Sequence, residues 1–109
     1  VDLSFNPQTG RLDIIRSERH RMQLWLWSIA PKNWATGQWR RECCLLDRAG
    51  TFYADADGFH PAGAVVDAKR GLQHVFIYVG HPNGPAGVFR ITRSLSTPKL
   101  AEFLNAQTP

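Results

Sequence analysis

Cysteine and long apolar runs are what this chain has least of. Its 109 residues include two cysteines, Cys43 and Cys44, adjacent in sequence. Neighbours on a strand point to opposite faces, so the pair is poorly placed for an ordinary disulfide and no disulfide scaffold can be built on it. Both read as small core or half-buried residues, which suits a reducing compartment, and the expected location is cytoplasmic. The longest unbroken apolar stretch is five residues, Val75 to Val79, against the ~20 that a membrane helix needs. No membrane partner is expected. The opening Val1-Asp2-Leu3-Ser4 lacks the basic start and apolar core of a signal peptide, so no leader is expected there.

Metal and nucleotide signatures are missing too. The histidines at 20, 60, 74 and 81 lack the close spacing of a zinc-ligand pair, and Cys43-Cys44 has no spacer to set tetrahedral geometry. Asp55-Ala56-Asp57-Gly58 shares only its start with a calcium loop, since Gly stands fourth instead of sixth and no Glu closes the site at the twelfth position. The glycines from Gly80 to Gly87 come without the Lys-Ser/Thr pair of a phosphate loop and lead into a strand, not a helix. No metal and no cofactor is expected. That segment reads as an exposed hairpin tip, with His81 and Asn83 as its candidate contact residues.

What the chain does have is arginine and tryptophan. Thirteen Lys+Arg against nine Asp+Glu give a formal charge of +4 and a pI near 9.6. Arginine dominates the basic set, and its planar fork grips phosphate or carboxylate and stacks on aromatic rings. The densest cluster is Arg11, Arg16, Arg19, His20 and Arg21, followed by Arg40-Arg41, with Trp25, Trp27, Trp34 and Trp39 interleaved. Cations that neutralise phosphates beside rings on which bases stack are the ingredients of a nucleic-acid surface. Trp34, in a polar Pro/Gly/Lys loop, is the tryptophan least explained by a core. The octets Gly10 to Ser17 and Gly87 to Ser94 agree at four of eight positions, which reads as shared hairpin grammar and sets Arg16, Arg90 and Arg93 at comparable strand positions. The candidate contact residues are therefore Arg16, Arg19, Arg21 and Trp34, with Arg40, Arg41, Arg90 and Arg93.

Periodicity supplies the elements. A turn at Asn6 to Gly10 joins Leu3-Ser4-Phe5 to Arg11 to Arg16 as a hairpin. Ser17 to Ala30 fits both a helix, with Met22, Trp25, Leu26 and Ile29 on one face, and a strand from about Met22 to Ile29. The strand is preferred because Gln-Leu-Trp-Leu-Trp is aromatic-rich and apolar on both faces. Trp39 to Asp47 is extended, and Asp47 to Gly50 turns it into Thr51 to Asp55. Ala56 to Arg70, rich in Gly, Pro and Asp, reads as a long loop with one short strand. Leu72 to Val79 reads as a central strand and Val88 to Arg93 as its hairpin partner. Pro98 at a first helical position, with Leu100, Phe103 and Leu104 as an apolar stripe, predicts a C-terminal helix through Gln107.

The expected architecture is one compact α+β domain over residues 1–109: a mainly antiparallel curved sheet or half-open barrel of five to seven strands with a C-terminal helix. The expected role is a small basic binding module that meets nucleic acid or an acidic protein surface. The alternative is a protein–protein or homodimeric assembly domain, with a two-sided apolar strand around Trp25 and Trp27 as the contact. A small hydrolase using Cys43 or Cys44 with His60 or His74 is the least favoured reading.

Overall fold

Alternation of apolar and polar residues sets the architecture. The computed structural model describes residues 2–20, 22–47, 58–80, 87–96 and 100–105, and these form eight strands and one short 3-10 helix. Strands β1 (Asp2–Asn6), β2 (Arg11–Glu18), β3 (Gln23–Ile29) and β4 (Arg40–Asp47) make one antiparallel sheet in chain order. Strands β5 (Gly58–Asp67), β6 (Leu72–Gly80), β7 (Gly87–Ser94) and β8 (Leu100–Asn105) make a second sheet of the same kind. The 3-10 helix, Pro31–Thr36, lies between β3 and β4 and ends at Gly37 with φ +72°.

The two sheets meet face to face. Ile15, Leu24, Leu26 and Leu46 from the first pack against Phe59, Val75, Ile77 and Ile91 from the second. Each such side chain contributes ~1.5–3 kcal/mol relative to exposure, so one shared core holds both sheets as a single domain. In β3 the inward residues are Leu24, Leu26 and Ser28, and Trp25 and Trp27 alternate outward; the strand reading of this segment therefore holds. The first hairpin also forms as expected. Asn6 accepts hydrogen bonds at its Oδ1 from the backbone N–H groups of Gln8 and Thr9, and Gly10 closes the turn at φ +71°.

Three expectations are corrected. Among the described residues the fold is nearly all-β, eight strands in two antiparallel sheets with no closed barrel, in place of an α+β domain of five to seven strands. The expected C-terminal helix is absent: Leu100–Asn105 is a strand paired antiparallel with β7, from Phe89↔Asn105 to Arg93↔Leu100. A stripe of three apolar residues supports only a marginal short helix, whereas pairing satisfies the backbone groups along one side of β7. The supposed loop from 56 to 70 contains the ten-residue strand β5. Pro61 is accommodated because β5 is an edge strand, and the register slips between Pro61 and Gly63, a bulge at Ala62. The turn at Asp47 to Gly50, the strand expected at Thr51 to Asp55 and the tip bearing His81 and Asn83 lie outside the described residues. No helix among the described residues is long and apolar enough to cross a membrane.

Candidate binding face on the first sheet

The outer face of the first sheet gathers side chains from three strands. On β2, Asp13 and Ile15 turn inward, which leaves Ile14, Arg16 and Glu18 on the outer side. On β4, register shifts at Leu45 and Glu42 set Arg41 opposite Trp27 and Cys44 opposite Trp25. The shift at Leu45 also lets Leu45 and Leu46 both be buried.

The result is an alternating array of indoles and guanidiniums. The Arg41 guanidinium carbon lies 3.4 Å from the Trp25 ring centroid and 5.9 Å from that of Trp27, and Arg16 lies 5.5 Å from Trp27. Contacts of this kind contribute ~0.5–1 kcal/mol each where exposed. Glu18 fixes the array from one end, accepting hydrogen bonds from Trp27 Nε1 at 2.6 Å and Arg41 Nη2 at 2.7 Å. Partial burial by itself would raise the Glu18 pKa. The bonds from Trp27 and Arg41, with the charges of Arg41 and Arg16, outweigh it and hold the carboxyl below its ordinary range. Trp25 Nε1 donates to Gln23, whose amide in turn donates to Asp47.

Beside this array is a slot of about 390 Å³ lined by Ile14, Arg16, Trp27, Gly37 and Trp39. Arg16 is exposed and forms no salt bridge among the described residues, so its charge is available to a ligand in the slot. The slot thus combines aromatic walls with one exposed cation that has no salt bridge among the described residues.

The sequence candidates distribute unevenly over the molecule. Arg16 and Arg41 are on this face. Arg19 is exposed in the β2–β3 turn, where it and His20 adopt φ +53° and +57°. Arg21 lies outside the described residues. Arg40, one residue from Arg41, is engaged by Glu42 at 2.6 Å on the side of Ser28. Trp34 is 67% exposed on the 3-10 helix. Arg90 is set opposite Phe76 on the second sheet, its Nε buried without a hydrogen-bond partner. Arg93 is inside the protein, 1% exposed. The octet echo fails for a geometric reason: Arg16 and Arg93 match in sequence, but β2 turns that position outward and β7 turns it inward. Sequence reasoning left Trp27, Trp39 and Glu18 out of the contact set, although alternation in β3 was the signal for Trp27.

The residues considered for a hydrolase are dispersed. Cys43 packs against the core and Cys44 is half-buried opposite Trp25, and burial raises both thiol pKa values, which disfavours a thiolate. His60 lies against Tyr78, with ring centroids 6.1 Å apart, and His74 shares a hydrogen bond with Thr92 Oγ1; both are on the second sheet. Among the described residues no three His, Cys, Asp or Glu side chains are grouped to hold a metal ion. Comparison of the chain with protein families, curated proteins and solved structures finds no match.

Proposed function

We propose that this protein is a small binding module that takes up single-stranded nucleic acid on the outer face of its first sheet. The observation that carries the reading is the slot in which Trp27 and Trp39 stand beside the exposed guanidinium of Arg16, which lies over Trp27 and forms no salt bridge among the described residues. Bases stack on indole faces and on guanidinium planes at ~1–3 kcal/mol per base, and an uncommitted arginine takes the adjoining phosphate. The basic balance of the chain adds a general attraction for the same partner. Arg41 is partly neutralised by Glu18, so Arg16 and Arg19 are the cations assigned to the backbone.

The test is titration of the whole chain with short fluorescent single-stranded and duplex oligonucleotides at several salt concentrations. The expected result is preference for the single strand, quenching of tryptophan emission and a linear fall of log affinity with log salt. Undetectable binding at low salt would reject the proposal.

A second reading, self-association, rests on Leu3 and Phe5, which are 59% and 53% exposed on the edge strand β1. Backbone pairing of a partner strand with β3 does not support it, because β3 is paired on both sides. Sedimentation at micromolar concentration decides this reading: a strict monomer removes it.

A further inference from the structure

We propose that the polar end of the inter-sheet space is a binding pocket for a compact monocarboxylate. Where β1 turns into β2 the core opens into a cavity of about 190 Å³. A cavity of ~150 Å³ holds benzene, so this one admits a ligand of roughly six to ten non-hydrogen atoms. Its floor combines the apolar side chains of Leu26 and Leu95 with the buried Asp13–Arg93 pair, and its rim carries Arg11 and Arg40.

The hydrogen bonds at the rim define the chemistry. Arg11 Nε donates to Ser28 Oγ at 2.7 Å, Ser28 Oγ donates to Glu42 Oε1 at 2.5 Å, and Arg40 Nε donates to the same oxygen at 2.6 Å. Both guanidiniums are thus fixed through Nε, and their terminal nitrogens, the fork suited to a carboxylate, have no hydrogen-bond partner among the described residues. Three guanidiniums against two carboxylates leave one surplus positive charge. Asp13 compensates Arg93 and Glu42 compensates Arg40, whereas Arg11 is 4.0 Å from Glu42. A single negative charge on a short apolar body matches both the surplus and the floor. A phosphate dianion would exceed that surplus and would set polar oxygens against Leu26 and Leu95. The pocket opens from the inner side of the first sheet, away from the Trp27 slot, so this proposal is independent of the nucleic-acid reading.

The experiment is an NMR titration of the labelled full chain with butyrate, and in parallel with inorganic phosphate and with butylamine. Butyrate is expected to give saturable shifts at the Arg11 and Arg40 side chains and the Leu26 and Leu95 methyls, in the millimolar range suited to so few atoms. Butylamine should give none and phosphate should bind more weakly. Arg11→Gln should weaken butyrate roughly tenfold or more through loss of a charge-assisted contact. Thr9→Tyr, at an exposed turn on the cavity's mouth, should block entry without touching the buried pair. Absence of saturable butyrate shifts, phosphate binding as tight as butyrate, or unchanged butyrate affinity in both variants would overturn the proposal.

Discussion

Arg93 on β7 donates from Nη2 to Asp13 Oδ2 on β2 at 2.6 Å, with both side chains no more than 4% exposed and the two residues 80 positions apart. Arg93 Nε donates to Gln73, Gln73 donates to Ser4 Oγ, and Asn6 donates both to Asp13 and to the Leu95 carbonyl. This network ties β1 and β2 to β6 and β7 by polar contacts inside the shared core. Removing one partner strands a buried charge, and Asp13→Ala or Arg93→Ala should each cost ~3–5 kcal/mol. The double variant Asp13→Ala/Arg93→Ala should lose less than the two single losses combined, because neither charge is then left alone. Urea unfolding of the four proteins measures this coupling; strict additivity would remove the pair's role.

Two partly buried carboxylates, Glu18 on the outer face and Glu42 at the pocket rim, give the protein an acid limit. Glu42 is also held below its ordinary pKa. Its partial burial acts upward but is outweighed by the bonds from Ser28 and Arg40 and by the charges of Arg40 and Arg11. A folded pKa below the unfolded one means that the carboxylate's stabilisation is complete above the ordinary value of 4.5 and is lost as pH falls through the folded value. Stability should therefore decline on acidification from about pH 5 downward, and Glu18→Gln should shallow that decline. Chemical denaturation midpoints across this range test it, and a Glu18→Gln profile with the wild-type slope would contradict the assignment.

Legibility of the sequence followed the local signal. The Asn6–Gly10 hairpin and the β6–β7 pair could be read because turn residues and period-two alternation determine them locally, whereas β3 fits both periods and is decided only by its aromatic, two-sided apolar content. β5 was obscured by Gly58, Pro61, Ala62 and Gly63, residues that weaken a strand signal and that an edge strand with a bulge tolerates. The stripe Leu100, Phe103, Leu104 has helical spacing, and the factor that decides for β8 instead, the unpaired side of β7, is distant in sequence. The site was half legible for a similar reason. Counting arginines found Arg16 and Arg41 together with Arg93, and only the pairing partner of each strand separates the solvent-facing cations from the buried one.

Trp27 and Trp34 separate the slot from mere exposure of an indole. If the slot binds bases, Trp27→Ala should weaken single-strand binding by ~1–3 kcal/mol, whereas Trp34→Ala, exposed but not part of the slot lining, should change it less. Arg16→Gln should lower the slope of log affinity against log salt by about one contact. Fluorescence anisotropy with a thermal melt of each variant checks both the binding and the fold. Equal losses at Trp27 and Trp34 would point to diffuse attraction instead of a site.

Gly71 tests how firmly the β5–β6 turn is bound to the first sheet. It adopts φ +67°, its N–H donates to the Ala68 carbonyl, and its own carbonyl accepts from Leu95 N–H at 2.9 Å. A Cβ there would overlap Gln8 Nε2, on the exposed turn between β1 and β2. Two costs are thus superimposed in Gly71→Ala: a left-handed backbone that an L side chain resists by ~1–2 kcal/mol, and a clash with the end of a flexible side chain. The clash is relieved by rotating Gln8 away, so the backbone term should dominate. Gly71→Ala should destabilise by about 1–2 kcal/mol, and adding Gln8→Ala should recover only a small part of it. Gly71→Asn should cost less than Gly71→Ala, since asparagine tolerates the left-handed region better. Thermal denaturation of the three variants distinguishes the terms: near-complete rescue by Gln8→Ala would mean that contact between the two turns, not the glycine's dihedral, is what this position protects.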